Sequence, residues 1–420
     1  MSNAVKNNKV KETIKSTRER HSNMDCRVFE IKVVDSKMSA KQREQVNQYF
    51  REAKWRRNDI ISDFNNADRN SKTANVKVGD DFETRDLLLL GSQVRQDIYD
   101  MVKSELKGLH TKKKQGEDVG KLKFKSVCNS IPLRQYETTY RINFERNRIK
   151  MQNITKPFYV RGLKQIPCDA EITNAKFVRK PSGLYFYITC FVPKEVKPKT
   201  NKQVGIDFGI EYNLTLSDGK TFDINVPESK ATKLTSKKLN KAFKRNGDKK
   251  SKNHYKRKAA LQRANEKDRN KRIDEANKAI SYILSSYDFI AIQDEMIHNW
   301  HAGWFGKQVQ HSAMGYIKAK LKTNSKVHVV ERSFPSTQVC PSCGCLTKHS
   351  LDKRAYRCEH CGFAHPSRDI KSAQSILDEA LKRVSTEHRA NSLVELKTSD
   401  VDVLTNDVKY QAVKQEAHVL

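Results

Sequence analysis

The period of hydrophobic positions changes several times along the chain, and each change marks an element. Cys26–Val34 alternates and reads as a strand. Ser39 with Gln42 three residues later makes a capping box, and Val46, Phe50, Ala53, Ile60 and Phe64 keep helical spacing behind it. A polar gap over 65–81 precedes a second predicted helix, 85–108, which contains Ser92–Gln96; residues 120–126 return to extended structure. From Thr138 to Pro193 short apolar runs follow one another closely, the last two joined at Pro181-Ser182-Gly183. That spacing predicts a small β-barrel, with the Cys26 strand as a candidate member.

A linker at 196–202 leads into Val204-Gly205-Ile206-Asp207-Phe208-Gly209-Ile210, an apolar run that carries one carboxylate between two glycines. Glycine at those places lets another backbone come close. Residues 211–222, with a turn at Ser217-Asp218-Gly219, predict that Asp207 sits on a hairpin. Residues 229–272 have helical composition broken at Asn246-Gly247, and 273–287 continue as an amphipathic helix. Then 288–296 reads as a buried strand ending in carboxylates, and Trp300, Trp304 and Phe305 lead into a helix over 306–322. A strand over 326–332 follows, and a helix opening at Pro366 holds Asp369 in its first turn. Periodicity fades from Ser385 onward. Helices alternating with apolar strands predict a mixed α/β sheet in this half.

Charge adds a partner. Lys and Arg number 81 against 49 Asp and Glu, a net +32 with pI near 9.7, which favours a polyanion and nucleic acid first. Residues 229–272 hold 18 of those cations and three acids, a concentration that repels itself unless a polyanion lies alongside. Basic residues mixed with Tyr49 and Trp55 on the first helix suit stacking on bases. No apolar run is long enough to span a bilayer and the N-terminus lacks a signal-peptide core, so a soluble, cytoplasmic, nucleoid-associated protein with no membrane partner is expected.

Nine cysteines are present, five of them between Cys340 and Cys361. Cys340-x-x-Cys343 and Cys358-x-x-Cys361, each followed by glycine, have the spacing of a zinc ribbon that holds one structural Zn²⁺ on four thiolates. Cys345 is a fifth thiol that could replace Cys343. Three acids lie far apart at strand ends or a helix start: Asp207, Glu295 and Asp369. A carboxylate on a buried strand is costly without a cation. If the sheet brings the three together they bind two Mg²⁺, and the chemistry is metal-assisted phosphodiester hydrolysis.

GIDFG, the apolar strand with acids, the knuckles in PSTQVCPSCG and YRCEHCGF, and RDIKSAQSIL together resemble the split RuvC nuclease core of the TnpB family, transposon-encoded RNA-guided DNA nucleases related to compact type V CRISPR effectors. The resemblance covers about 200–380 with motifs in fixed order and is looser over 24–200. It implies a multidomain α/β protein: a RuvC-type, RNase H-like core (199–337 and 365–384, with the basic helical segment 228–272), an inserted zinc ribbon (338–364) and a wedge-like β-barrel (24–37 and 120–198). A helical recognition insertion (38–119), a disordered basic arm (1–23) and a loosely ordered tail (385–420) complete the division. It further implies a guide RNA, double-stranded target DNA opened into an R-loop, and a short duplex motif read by the wedge and recognition parts. The oligomeric state is left open. Two departures stand out. Gln293 occupies the place where the family usually has Glu, and alternation along a strand favours Glu295 as its substitute, with Asp294 as the other candidate. Lys371 and Ser375 replace asparagines. Competing readings are a nuclease-inactive RNA-guided repressor, invited by Gln293, and a guide-free DNA-binding transposon accessory protein.

Overall fold

The structure, a computed structural model, describes residues 3–116, 118–195, 198–246, 251–303, 305–350 and 353–404; side chains are described within 12–386, Asn246 apart. Trp304, Gly247 at the expected helix break, and the tail from 405 lie outside the described residues. The chain divides into two compact units, Met1–Val196 and Lys197–Leu420, at the basic linker the sequence marks.

The first unit begins with α1 (Asn3–Ser22), where the sequence reading expects a disordered arm. Straight-chain residues favour a helix there without an apolar stripe to reveal it. Its end is held by Arg20 on Glu171 (2.9 Å) and by the His21 ring stacked on Phe191. β1 (Met24–Val33) leads to α2 (Ala40–Ser62), capped by the Ser39 hydroxyl on the Gln42 N–H as the capping box predicts. The polar gap then folds into a hairpin, β2 (Thr73–Val78) and β3 (Asp81–Asp86), which the sequence reading leaves out. β3 is almost wholly exposed, and the short alternation Ala74-Asn75-Val76-Lys77-Val78 of β2, with Ala74 buried, is set in a polar run that reads as a gap. In consequence α3 starts at Ser92 and runs to Lys114, not from 85 to 108. Buried Glu52 of α2 accepts the Leu89 and Leu90 N–H groups at 2.8 and 3.0 Å, fixing the entry to α3. The segment expected as a helical recognition insertion therefore holds helices and a β-hairpin, and residues 120–126 are irregular, not a strand.

β4 (Ser130–Leu133), β5 (Tyr140–Asn143), β6 (Arg148–Met151), β7 (Phe158–Arg161), β8 (Glu171–Lys180) and β9 (Gly183–Pro193) join β1 in a seven-stranded antiparallel, barrel-like sheet, order β4-β8-β9-β1-β7-β6-β5. β1 is central, paired to β9 from Met24 opposite Pro193 to Lys32 opposite Tyr185. Phe158, Phe177 and Phe186 pack against Phe50 of α2 to form the core.

The second unit is built on a five-stranded mixed sheet, β12-β11-β10-β13-β14: β10 (Gln203–Asp207), β11 (Leu214–Leu216), β12 (Thr221–Phe222), β13 (Phe289–Gln293) and β14 (Val327–Val330). β10, β13 and β14 are parallel; β11 and β12 return antiparallel, and Asp207 lies opposite Thr215 as the hairpin reading expects. α4 (Lys230–Asn246) and α5 (Lys252–Ser286) carry the basic segment; α6 (Gly306–Ser312) and α7 (Met314–Leu321) follow β13, separated at Ala313, whose φ of 55° breaks the single helix the sequence predicts. One sheet face packs on Ala276, Ile280 and Ile283 of α5 and on Ile317 and Leu321 of α7; on the other, Ala291 and Val330 pack on Ile376 and Ala380 of α8 (Arg368–Leu404). α8 continues to Leu404 where a loosely ordered tail is expected from 385. β15 (Tyr356–Arg357) and β16 (Ala364–His365) form the small sheet of the cysteine-bearing insert. No helix among the described residues is long and apolar enough to cross a membrane.

Candidate active site and metal centre

Asp207 is the last residue of β10, and Asp369 is in the first turn of α8. What brings them together is Gly205: a Cβ there would sit 1.9 Å from the Ala373 carbonyl, so α8 lies directly on β10 only because that side chain is missing. Gly209 serves differently, giving room to the Tyr212 carbonyl of its own turn. Glu295 comes from the third direction, two residues past β13, where its N–H bonds the Gln293 carbonyl at 2.9 Å in a tight turn. All three acids line one cavity of about 550 Å³, together with Glu211, Trp300, Phe305, Arg354 and Arg368.

The electrostatics follow from that gathering. Burial first, then the neighbouring Asp369 and Glu295 charges, push the Asp207 carboxyl up to about 8, while the Ser372 hydroxyl and Arg368 pull the other way. Burial also raises Glu295, opposed by Lys318 and Arg332. Like charges held in a poorly solvated space invite a cation. Part of that charge is supplied by the chain: Arg354 bridges Glu211 (2.5 Å) and Asp369 (3.6 Å), and Arg368 lies 3.9 Å from Asp369.

Asp294 faces elsewhere. Lys318 at 2.6 Å, Lys322 at 2.9 Å and Arg332 at 3.8 Å hold its carboxylate, hydrogen bonds from the two lysines first, and lower it to about 2. It does not line the cavity, so of the two candidates near the end of β13 only Glu295 does.

Gln293, the departure from the family pattern, is buried and fully engaged. Its amide N–H₂ group donates to the Phe334, Glu331 and Arg332 carbonyls (2.5, 3.2 and 3.3 Å), and its Oε1 accepts from Ser336 Oγ at 2.8 Å. Ser372 Oγ donates to Ser336 Oγ at 3.1 Å and also meets Asp207. Lys371 is fully buried, its ammonium bonded to the Ser336 and Thr337 carbonyls (both 3.0 Å) and lying 4.0 Å over the Tyr356 ring. These side chains pin the loop between β14 and the cysteines against the acid cavity. Of the residues at or beside the cavity, Glu211 and Arg354 escape sequence reading, since neither sits in a spacing that marks it, while Arg368 and Ser372 lie within RDIKSAQSIL without a role read for them there.

The cysteine site closes as its spacing predicts. The four sulfurs of Cys340, Cys343, Cys358 and Cys361 all lie within 4.8 Å of one another. The Cys340–Cys361 and Cys343–Cys358 pairs are 3.6 Å apart, far beyond a disulfide and near the roughly 3.8 Å edge of a tetrahedron with ~2.3 Å metal–sulfur bonds. Gly344 and Gly362, at φ 74° and 75°, turn each knuckle so that their N–H groups reach back to the Cys340 and Cys358 carbonyls. The Cys361 N–H leads the forces that draw the Cys358 thiol down to about 5, towards the thiolate a metal needs. Cys345 stays outside the cluster, its carbonyl accepting the Cys340 N–H at 2.9 Å. The donor set suits Zn²⁺.

The basic segment is two helices, and one of its acids is committed internally. Buried Asp268 accepts the Ser229 N–H (2.9 Å) and Thr232 hydroxyl (2.6 Å), tying the start of α4 to α5.

Comparison with known proteins agrees with these features. A family model described as OrfB_IS605, probable transposase, matches residues 186–299, and one described as Cas12f1-like, TNB domain, matches residues 313–376. The chain is similar to a putative RNA-guided DNA endonuclease of Streptomyces pristinaespiralis, 25% identical over 270 residues that cover 62% of this chain and 65% of the relative, so it spans less than two thirds of that protein. The mixed α/β build, the barrel-like sheet and the four-cysteine cluster fit the architecture expected of such proteins. In these matches and the motifs they cover, the chain is similar to proteins of the TnpB family.

Proposed function

We propose that the protein is an RNA-guided DNA endonuclease, with an RNase H-like (RuvC-type) core that hydrolyses phosphodiesters using Asp207, Glu295 and Asp369 as the holders of two Mg²⁺. The observation that carries this reading is the convergence of the three carboxylates, from β10, the turn after β13 and the start of α8, on one cavity where burial first, and then the two neighbouring charges, raise Asp207. Oxygen donors of this kind match a hard divalent cation. Bound there, Mg²⁺ supplies Lewis-acid polarisation of the phosphate and a low-pKa water. The chain's own residues do the rest. Asp207 would hold the cation as its carboxylate, Ser372 orients that carboxylate, and Arg354 and Arg368 are cations beside the cavity that a phosphate would enter. Trp300 and Phe305 form the apolar wall against which a sugar or base can lie.

The four cysteines hold one structural Zn²⁺, and Lys371, buried against Tyr356 of that insert, ties it to the loop beside the acids. A guide RNA and double-stranded target DNA, opened into an R-loop beside a short duplex motif, are the partners. The basic helices α4 and α5 follow the heteroduplex or guide backbone by shape and charge. The repressor reading rests on Gln293, and Glu295 lining the cavity supports the nuclease reading over it.

The test is to express the chain beside its native flanking DNA, sequence the RNA that co-purifies, and assay a matched plasmid with Mg²⁺ or EDTA. We expect one discrete RNA and Mg²⁺-dependent cutting that Asp207→Ala lowers more than about a hundredfold while guided binding persists. Binding without cutting in the unaltered protein would instead identify a repressor, and absence of RNA a guide-free accessory protein.

A further inference from the structure

A second cavity lies in the first unit. It is enclosed by α2, the β2–β3 hairpin and the irregular segment around Phe124, has a volume of about 280 Å³, and is lined by Trp55, Phe82, Phe124, Val76, Lys54 and Lys77, with polar Asn58, Ser62 and Asn75 at its edge. Phe82 and Phe124 are 67% and 63% exposed, unusual for two phenylalanines that share one cleft.

The walls are fixed to one another through side-chain bonds. The Asn58 amide both donates to and accepts from the Lys125 backbone at 2.9 Å, which clamps the Phe124 segment onto α2. Asp59 accepts the Asn75 N–H at 3.0 Å, which clamps the hairpin onto the same helix. Across the hairpin Lys77 is paired with Phe82. The Arg85 guanidinium, itself bonded to Glu83 at 2.7 Å, packs over the Trp55 ring at 5.0 Å and holds the indole. The aromatic surfaces are thus preorganised, and no carboxylate lines them.

We propose that this cleft is a stacking site for one unpaired nucleobase of a single-stranded nucleic acid. Rings offer any base a face regardless of sequence, and the two lysines sit where the flanking phosphates would run. A volume below that of ordinary small-ligand pockets suits one planar ring system. The cleft lining itself offers no carboxylate to a basic peptide, which disfavours that occupant. This inference rests on the reading that the protein's partners are nucleic acids, and it is independent of the acid cavity and its metals.

Tryptophan fluorescence tests it directly, because the chain has three tryptophans. With Trp300 and Trp304 replaced by phenylalanine, Trp55 is the sole indole reporter. The full chain, with neither Mg²⁺ nor guide, is titrated with a thymidine homopolymer of about twelve nucleotides, with an abasic polymer of equal length and charge, and with a duplex. The thymidine polymer should quench Trp55 emission and the other two should not. Phe82→Ala and Phe124→Ala should each weaken its binding about tenfold or more without changing the salt dependence, and Phe82→Leu and Phe124→Leu, which keep apolar volume, should fail to restore it. Equal quenching by the abasic polymer, unchanged affinity in the alanine variants, or quenching by an acidic aromatic peptide but not by the polymer would overturn the proposal. Cleavage plays no part in the readout, so its failure leaves the endonuclease reading standing, and retained cutting by Asp207→Ala leaves this one standing.

Discussion

The C-terminal unit gathers anionic ligands twice, by opposite means. Four thiols are brought within 4.8 Å of one another by two short turns, each completed by its own glycine. Three carboxylates reach one cavity from a strand end, a turn and a helix start, and among the described residues it is the cysteines, not the acids, that close to that distance. The cysteine geometry is held by bonds within a few residues, such as Gly344 N–H to Cys340 O at 2.9 Å. The acid geometry is held by how α8 seats on β10. A site made by local turns depends on its metal and tolerates shifts of neighbouring elements, whereas a site made by packing tolerates an empty metal position but not a displaced helix.

Breaking the local site should have the largest effect on folding. Structural zinc contributes on the order of 10 kcal/mol to small ribbons, so Cys358→Ser should abolish zinc retention and expose the insert to protease. Metal analysis should fall from one zinc per chain to well below it. Asp207→Ala should leave the zinc content intact, and parallel loss of zinc in that variant would collapse the distinction between the two sites.

Next comes the packing contact. Gly205→Ala places a methyl 1.9 Å from the Ala373 carbonyl, and backbone must move to admit it. We expect a loss of roughly 1–3 kcal/mol in stability. Cleavage should fall further than that loss explains, because Asp369 moves away from Asp207, while zinc stays bound; full cutting at normal temperature would show that α8 can slide without consequence.

Gln293→Glu sharpens the same point in the opposite direction. The change restores the acid usual in the family, but replaces an amide that donates to three carbonyls with a group that can only accept once ionised. The variant should be destabilised by about 1–3 kcal/mol in denaturant melts, with no gain in cutting rate. A faster enzyme would reassign the acid role from Glu295 to position 293.

The smallest effect concerns pH. Asp207 holds its proton up to about 8 in the folded chain against an ordinary 3.8, so the folded state binds more protons through that interval. Its contribution is fully present below the ordinary value and is lost as pH rises through the raised one. Without divalent metal, Asp207→Asn should therefore melt about 3–6 °C above the unaltered chain at pH 9 and alongside it below pH 4. Added Mg²⁺ should narrow the gap at pH 9, and an equal gap at both pH values would deny Asp207 its crowded surroundings.

The cysteine ligands, the Asp207 hairpin, Asp369 in a first helical turn and the basic helices were all legible from spacing, because each depends on neighbours a few residues away. Three things were not. In the β2–β3 hairpin only β2 alternates, over five residues from Ala74 to Val78, and its partner β3 is almost wholly exposed, so the pair is lost in a polar run. Helix α1 has propensity without an apolar stripe, and Glu211 and Arg354 carry no motif.

By itself the sequence determined which residue types could hold metal and, through local turns, how four of them meet. It also set the period of each long element and the large excess of positive charge. Only the tertiary structure decided that Glu295 lines the cavity while Asp294 is held by lysines, and that Gln293 is an anchor instead of a lost acid. The physical reason is distance along the chain: turns and helices are fixed by bonds between near neighbours. Which side of a sheet a strand-end carboxylate finally faces is settled by the lysines, serines and carbonyls that distant segments bring to it.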